Sequence, residues 1–304
     1  MRLFKAGRYA EAADAFNAVV VTEPQSAEAL LYLSKSLINV ERFQAAEAAL
    51  RRYIALPAIT ADGAYLLAYV LFRQGRAADS LGVYQTAVLR QPPVADDLKI
   101  IGLNYGLLKD YERAAEWLQK ALALDTNNLE ARYYLGRVRY TQNRFAEACR
   151  EFQAVLTRDP NHVKAQNNLG QALEGMNDIE GARAAYQRAI ELDRHNSKPS
   201  EMPLLNLAIF HLQRDEVDAA LPLLTRAASL NPASAQVRFQ LGKLYLRQSR
   251  WNEAEKELRA ATQLAPDDKG AHYQLGRLYH RLGKTELARQ ELAISEQLAA
   301  KERP

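Results

Sequence analysis

One small residue recurs along this chain at an almost constant interval. The interval is 34 residues at every step but one, which is 38 residues long, and it relates nine positions: Ala12, Ala46, Ser80, Ala114, Ala148, Ala182, Ala220, Ala254 and Ala288. A period of this length is typical of proteins in which one supersecondary unit is repeated and stacked. The chain is therefore predicted to be a repeat protein, although 304 residues would otherwise suggest about two globular domains.

Two other series follow the same period and predict that each unit is a pair of helices. A bulky residue lies four positions after each small residue, as Phe152 does after Ala148, and a second small residue with an aliphatic neighbour precedes them, as at Gly136. Glycine in a helix costs about 1 kcal/mol relative to alanine, so its recurrence needs a packing reason. We expect the small residues to let the two helices approach closely. The turns between the helices are predicted at glycine or asparagine: Gly7, Gly75, Asn143, Asn177 and Gly283.

This pattern resembles the tetratricopeptide repeat, in which an aliphatic residue with glycine, an alanine, an aromatic residue and a proline recur over 34 residues. The resemblance covers essentially the whole chain. It implies an all-α fold, a right-handed α-solenoid superhelix of stacked helix-turn-helix hairpins whose first helices line a concave groove. The family serves many unrelated functions, so the resemblance specifies the fold more closely than the activity.

The period divides residues 1–304, expected to form a single solenoid, into units. They are a partial unit at 1–26, full units at 27–60, 61–94, 95–128, 129–162 and 163–196, an insertion at 197–200, and full units at 201–234, 235–268 and 269–302. Residues 1–26 fit only the end of a first helix and a complete second helix, so we expect further sequence upstream, whether removed, a signal peptide or another domain. The last unit has no extra polar helix after it, which predicts self-association through an uncapped end or a neighbouring segment.

The first helices are predicted to present three groups of residues to the groove. The aromatic group is Tyr65, Tyr69, Phe72 and Tyr133. The amide group is Asn168, Asn206, Gln240 and Gln274. The cationic group is Arg137, Lys243, Arg247, Arg277 and Arg281.

Each group has a binding interpretation and a structural one. Exposed aromatic rings in a concavity can anchor a partner, or they can pack against the next hairpin. Amides in a row can satisfy both the N–H and C=O groups of an extended peptide, which resembles the asparagine ladder of O-GlcNAc transferase, or they can simply be solvated. The cations, with no acid between 235 and 248 or between 269 and 283, can attract an acidic segment or a terminal carboxylate, or lie along the hairpin surface.

No catalytic motif is recognisable, and no cofactor or metal is predicted. The sequence has no phosphate-binding glycine loop, and its single cysteine, Cys149, is predicted to be a buried apolar residue. His272 and His280 are eight positions apart, but a third metal ligand is missing. Trp117 and Trp251 are interpreted as packing residues.

The leading functional prediction is a non-catalytic scaffold that binds a peptide or protein segment, acidic at one end, in the groove. The alternative is the substrate-recognition portion of a larger enzyme such as a glycosyltransferase. Binding of single-stranded RNA is disfavoured because 36 acids are interleaved with 40 cations. No apolar run is long enough to span a bilayer. The sequence slightly favours a bacterial periplasmic or secreted protein after processing, with a cytoplasmic protein as the alternative.

Overall fold

The computed structural model describes residues 1–57 and 60–301, and all regular structure within those residues is α-helical. The helices are α1 (Arg2–Lys5), α2 (Tyr9–Thr22), α3 (Ala27–Asn39), α4 (Phe43–Ile54), α5 (Asp62–Arg73), α6 (Ala77–Val88), α7 (Ala95–Leu107), α8 (Tyr111–Leu124), α9 (Leu129–Thr141), α10 (Phe145–Arg158), α11 (Val163–Gly175), α12 (Ile179–Arg194), α13 (Met202–Gln213), α14 (Val217–Leu230), α15 (Ala235–Arg247), α16 (Trp251–Leu264), α17 (Lys269–Arg281) and α18 (Thr285–Lys301). The predicted end of the last unit, residue 302, lies outside the described residues. The all-α prediction is confirmed.

The helices cluster into two compact units. The first extends from residue 1 to residue 158 and contains α1 to α10, and the second begins at residue 159 and contains α11 to α18. Within each unit, consecutive helices pack against one another as hairpins. A single continuous solenoid over the whole chain stays a prediction.

The turn inside each hairpin has one residue with a left-handed backbone. These residues are Gly7, Glu41, Gly75, Lys109, Asn143, Asn177, Asp215, Ser249 and Gly283. At Asn143 the backbone N–H of the following residue, Arg144, donates to the carbonyl of Arg139 at 2.8 Å, which satisfies a carbonyl at the helix end. The predicted glycine and asparagine positions are confirmed, and four further turns adopt the same conformation without either residue.

The close approach expected within a hairpin is confirmed by the packing around the helical glycines. A Cβ atom built on Gly136 would lie 2.7 Å from a ring carbon of Phe152, and one on Gly170 would lie 2.7 Å from a ring carbon of Tyr186. Both aromatic side chains are at most 1% exposed. The first helix therefore has no room for a side chain where the bulky residue of the second helix crosses it.

The insertion at 197–200 lies in a longer connection between α12 and α13. Buried Asp193 holds this connection, because its carboxylate accepts hydrogen bonds at 2.6 Å from the backbone N–H of Ser200 and from the Asn196 amide. Pro203 lies in the first turn of α13, where its missing N–H costs no helical hydrogen bond.

Candidate functional site

The second unit contains a cleft of about 530 Å³ where the end of α15 meets α16, α17 and α18. We call it the cationic cleft, and it is lined by Leu246, Arg247, Trp251, Gln274, Arg277, Leu278, His280, Arg281 and Leu292. None of these lining residues is acidic. Its cations come from the last two turns of two successive first helices, because the repeat places equivalent helix faces side by side.

The three arginines of the cationic cleft are held differently. Arg281 lies over the Trp251 ring with 4.3 Å between the guanidinium carbon and the ring centroid, and Arg277 lies 5.6 Å from the ring centroid of Tyr273. Both are exposed, and neither forms an ion pair with a carboxylate in the part of the chain that the structure describes. A guanidinium stacked on a ring keeps its N–H groups available, so these two arginines can receive an anion.

Arg247 is partly committed within the protein. Its Nη1 donates to the Leu212 carbonyl at 2.8 Å and lies 3.5 Å from an Asp215 carboxylate oxygen. Asp215 is 91% exposed, so this ion pair is strongly screened by water. Arg247 is therefore fixed in position at the rim while its charge still contributes to the cleft.

The base of the cationic cleft is apolar. Leu278 is buried, and Leu246, Trp251 and Leu292 are partly buried. An apolar base beneath several guanidinium groups suits a ligand in which a carboxylate lies next to an apolar side chain. Gln274 adds an amide that can bond to a peptide backbone.

Four of the predicted site residues therefore meet in one place, namely Arg247, Gln274, Arg277 and Arg281. Lys243 is not among the lining residues, and its ammonium lies 5.4 Å from the Phe239 ring centroid. The absence of acids on α15 and α17 does not leave every cation available, because Arg238 bonds at 2.8 Å to Glu257 on the second helix of its own hairpin.

The predicted amide row is largely used inside the protein at its first two positions. Asn206 is only 9% exposed, and its side-chain amide donates to the side-chain oxygen Oδ1 of Asn167 at 3.1 Å. Asn167 in turn donates to Asn168 at 3.4 Å. Buried amides need such partners, so packing accounts for the bond between Asn167 and Asn206. A peptide-binding role for the amide group, Asn168, Asn206, Gln240 and Gln274, stays a prediction.

Two of the predicted aromatic anchors, Tyr65 and Tyr133, are buried at 6% and 9% exposure. Packing against neighbouring residues accounts for this burial, and a partner-binding role at these two positions stays a prediction. Tyr69 and Phe72 remain partly exposed, and the Tyr69 hydroxyl accepts a hydrogen bond from Arg73 at 2.7 Å. Arg137 is exposed, with its guanidinium 6.0 Å from the Tyr133 ring centroid.

A second cleft, of about 430 Å³, lies in the first unit beside these aromatic residues. We call it the aromatic–acidic cleft, and it is lined by Lys35, Asp62, Tyr65, Leu66, Tyr69, Tyr84, Gln91, Pro92, Val94, Asp96, Asp97, Lys99 and Ile100. Two of its tyrosines, Tyr65 and Tyr69, were predicted site residues, but none of its acids was.

Two residues that line the cationic cleft were not predicted, because only first helices were expected to line the groove. Trp251 begins a second helix, and Leu292 lies on the last one, yet both line the cationic cleft. Trp251 was interpreted as a packing residue, which describes only its partly buried side. Its position one turn from the end of the arginine-bearing α15 was a signal available in the sequence.

The histidines do not form a shared site. Both ring nitrogens of His272 are occupied, by Glu291 at 2.6 Å and by the Pro266 carbonyl at 3.1 Å, whereas His280 is exposed in the cationic cleft. Across the described ranges, no group of three or more potential metal ligands occurs together. Cys149 is buried, as predicted.

No helix in the described part of the chain is both long enough and apolar enough to cross a bilayer.

The chain is similar to several repeat proteins of known name. It is 25% identical over 191 residues to anaphase-promoting complex subunit 3 of Schizosaccharomyces pombe, which covers 63% of this chain and 28% of that protein. It is 24% identical over 246 residues to BBSome complex member BBS4 of Bos taurus, covering 80% of this chain and 45% of that protein. The chain thus spans less than half the length of these two relatives.

One relative is named as an enzyme. The chain is 33% identical over 129 residues to human protein O-mannosyl-transferase TMTC3, covering 40% of this chain and 13% of that protein.

The fold has a close counterpart among solved structures. A tetratricopeptide repeat protein from Parabacteroides merdae superposes with a TM-score of 0.67 and 16% identity, covering 90% of this chain and 99% of that one. Tetratricopeptide repeat family profiles match residues 33–96 and 133–197 in one form, and 3–56, 107–151, 211–268 and 247–302 in another. The chain therefore belongs to the tetratricopeptide repeat family.

Proposed function

We propose that this protein is a non-catalytic interaction scaffold that binds a protein segment in its cationic cleft. The segment presents a carboxylate, from an acidic side chain or a chain terminus, next to an apolar side chain. One observation carries the proposal: Arg277, Arg281 and Arg247 surround an apolar base with no acid among the lining residues. Two of the relatives are named as members of multiprotein complexes, which fits a scaffold.

The magnitude of the arginine contribution follows from the geometry. A hydrogen bond to a charged group contributes about 1.5–3 kcal/mol net, and less where water screens it. Removing both exposed guanidinium groups is therefore expected to weaken binding by about 10- to 100-fold, since 1.4 kcal/mol corresponds to a factor of ten.

The test is selection of binders from a random peptide library with free carboxyl termini, using the intact chain as bait. We expect enrichment of peptides that place Asp, Glu or the terminal carboxylate beside Leu or an aromatic residue. The selected peptides are then titrated against the parent and against the variant Arg277→Gln/Arg281→Gln.

A matched control removes the same charge elsewhere in the second unit. Arg188 and Arg226 are exposed on the second helices α12 and α14 and form no ion pairs in the described part of the chain. The variant Arg188→Gln/Arg226→Gln should bind like the parent. Enrichment of uncharged or basic peptides, or equal binding by both double variants, would refute the proposal.

The recognition-module alternative is supported only by the match to part of the O-mannosyl-transferase. In that case the cationic cleft would receive the protein substrate of a catalytic domain encoded in the same reading frame. Sequencing the flanking reading frame tests this, because a catalytic domain there would favour the alternative.

A further inference from the structure

We propose that the aromatic–acidic cleft of the first unit is a second binding site, which accepts an arginine side chain of a partner protein. The site differs from the cationic cleft in charge, in its residues and in the unit that forms it. The proposal rests on three observations: a carboxylate without an ion-pair partner and a buried hydroxyl without a hydrogen-bond partner among the described residues, and tyrosine rings that line the same cleft.

The unmatched carboxylate is Asp97. It lies in the first turn of α7 and accepts a hydrogen bond from the Val94 backbone N–H at 3.0 Å, but it forms no ion pair in the described part of the chain. Its neighbour Asp96 is paired with Lys99 at 2.8 Å. Lys99 also bonds to Glu130 at 2.7 Å, so this one ammonium is already shared between two carboxylates.

The environment of Asp97 favours a cation. Burial raises the pKa of the Asp97 carboxyl above its ordinary value, and the negative charges of Asp96 and Asp62 add to the rise, while the bond from Val94 opposes it. A guanidinium beside this carboxylate would offset both the burial and the repulsion. Charge complementarity therefore selects a cationic ligand for this cleft.

The unpartnered hydroxyl belongs to Tyr84. The side chain is 2% exposed, it lines the cleft, and its hydroxyl has no hydrogen-bond partner among the described residues. The pKa of this phenol is raised well above its ordinary value by burial, with added contributions from the nearby charges of Asp97 and Asp96. A buried polar group without a partner is unfavourable, so a ligand N–H that donates to this oxygen would satisfy it.

Arginine matches this set of acceptors better than lysine does. A guanidinium has five N–H donors in one plane, enough for the Asp97 carboxylate and the Tyr84 oxygen together. Its flat face can stack on the ring of Tyr69, which is partly exposed in the cleft that Tyr65 and Tyr84 also line.

Within the part of the chain that the structure describes, one lining cation, Lys35, lacks the carboxylate partners that Lys99 has, so its removal should strengthen the binding of the proposed ligand. Lys35 is partly buried at the cleft, and its ammonium lies 5.4 Å from the Tyr32 ring centroid without a carboxylate partner in the described residues. It would repel an incoming guanidinium. The variant Lys35→Gln should therefore bind arginine more tightly than the parent.

The experiment titrates the isotope-labelled full chain with Nα-acetyl-arginine amide and follows the backbone amide resonances by NMR. The comparison compound is Nα-acetyl-citrulline amide, which has the same shape without the charge. We expect saturable shifts at the start of α5 and α7 with the arginine compound, and at least about tenfold weaker binding of the citrulline compound. Equal binding of the two compounds, or shifts confined to other helices, would overturn the proposal.

Two variants separate the site from general effects on folding. Asp97→Asn retains an oxygen for the Val94 N–H and removes the charge, so arginine binding should fall by about tenfold. Asp14→Asn, at an exposed position on α2, removes the same charge and should leave the affinity unchanged. Parent-like binding by Asp97→Asn would contradict the assignment.

Tyr84→Phe tests the hydroxyl independently. It should weaken arginine binding several-fold, while its thermal unfolding midpoint stays equal to that of the parent or rises, because the lost hydroxyl had no partner. A lower midpoint together with unchanged arginine affinity would show that the hydroxyl serves the fold alone.

Discussion

Replacing Gly136 with alanine tests whether the helical glycines exist to let the two helices of a hairpin approach. The new Cβ atom would lie 2.7 and 2.9 Å from two ring carbons of Phe152, whereas carbon atoms pack at about 3.5–4.0 Å. Phe152 is 0% exposed and its ring also packs near Tyr133, with 6.0 Å between centroids, so the ring has little room to move. Overpacking of this kind costs about 1–3 kcal/mol.

Alanine has a higher helix propensity than glycine, and this favourable contribution must be subtracted from the cost of overpacking. The gain is about 1 kcal/mol in a helix interior, so the net loss of unfolding free energy for Gly136→Ala is expected to be up to about 2 kcal/mol. Gly82 is the matched control. It lies within α6, and a Cβ there would meet nothing within 4 Å, so Gly82→Ala should stabilise the protein by about 0.5–1 kcal/mol.

Native-state hydrogen exchange is the appropriate assay because stacked repeats often unfold in parts and not in one step. Exchange of the α9 and α10 amides should accelerate in Gly136→Ala, and exchange of the α5 and α6 amides should slow in Gly82→Ala. In a double-mutant cycle, Phe152→Ala should cost less in the Gly136→Ala background than alone, because the overlap is then absent. If Gly136→Ala stabilised its hairpin as Gly82→Ala does, the close-approach argument would be refuted.

Three further predictions concern the turns, the acids and the end of the chain. Lys109→Gly should raise the midpoint of urea unfolding, because a left-handed backbone costs a non-glycine residue about 1–2 kcal/mol. The larger conformational entropy of glycine in the unfolded chain offsets only about 0.5–1 kcal/mol of this gain. Asn143→Gly should change the midpoint less. Desolvation raises the pKa of Glu47, but hydrogen bonds from Arg51, Arg76 and Gln74 outweigh it and lower the pKa overall. The contribution of Glu47 to the stability of the fold is therefore present above the ordinary pKa of 4.5 and is lost as the pH falls through the lowered folded-state pKa. Thermal unfolding midpoints of Glu47→Gln and the parent should therefore differ at neutral pH and converge in acid, and a pH-independent difference would contradict this. Leu287 is 43% exposed on α18. If the chain self-associates through α18, Leu287→Glu should abolish the concentration dependence of its sedimentation. A dimer that is unchanged in this variant would place the contact elsewhere.

The packing inside a hairpin could be read from the sequence because it depends on residues a fixed distance apart. Gly136 and Phe152 are 16 positions apart. The glycines at the equivalent place in other units, Gly102, Gly170, Gly242 and Gly276, likewise meet the bulky residue 16 positions later. The turns were predictable only where glycine or asparagine marks them. At Lys109 the same backbone is imposed by the two helices it joins, so residue preference carries no signal there.

The candidate sites were predictable to the extent that they depend on one helix face. Arg277 and Arg281 are four positions apart and Gln274 is three before Arg277, so their meeting follows from helix geometry. The burial of Asn206 does not follow from the geometry of one helix, because its partner Asn167 belongs to the preceding hairpin and lies 39 residues away in the sequence. The role of Asp97 does not follow from one helix face either, because an acid in the first turn of a helix is usually a cap and only the structure shows that it lines a cleft.

The bond between Asn167 and Asn206 also bears on how the chain acquires its structure. It is a link between neighbouring hairpins, and like the 16-residue contacts inside a hairpin it requires only a short stretch of chain to be ordered. Contacts of such short sequence separation close small loops at low entropic cost, so folding can start at any hairpin and spread to its neighbours. A nascent chain could therefore acquire structure hairpin by hairpin as it leaves the ribosome, without waiting for its last residues to be made.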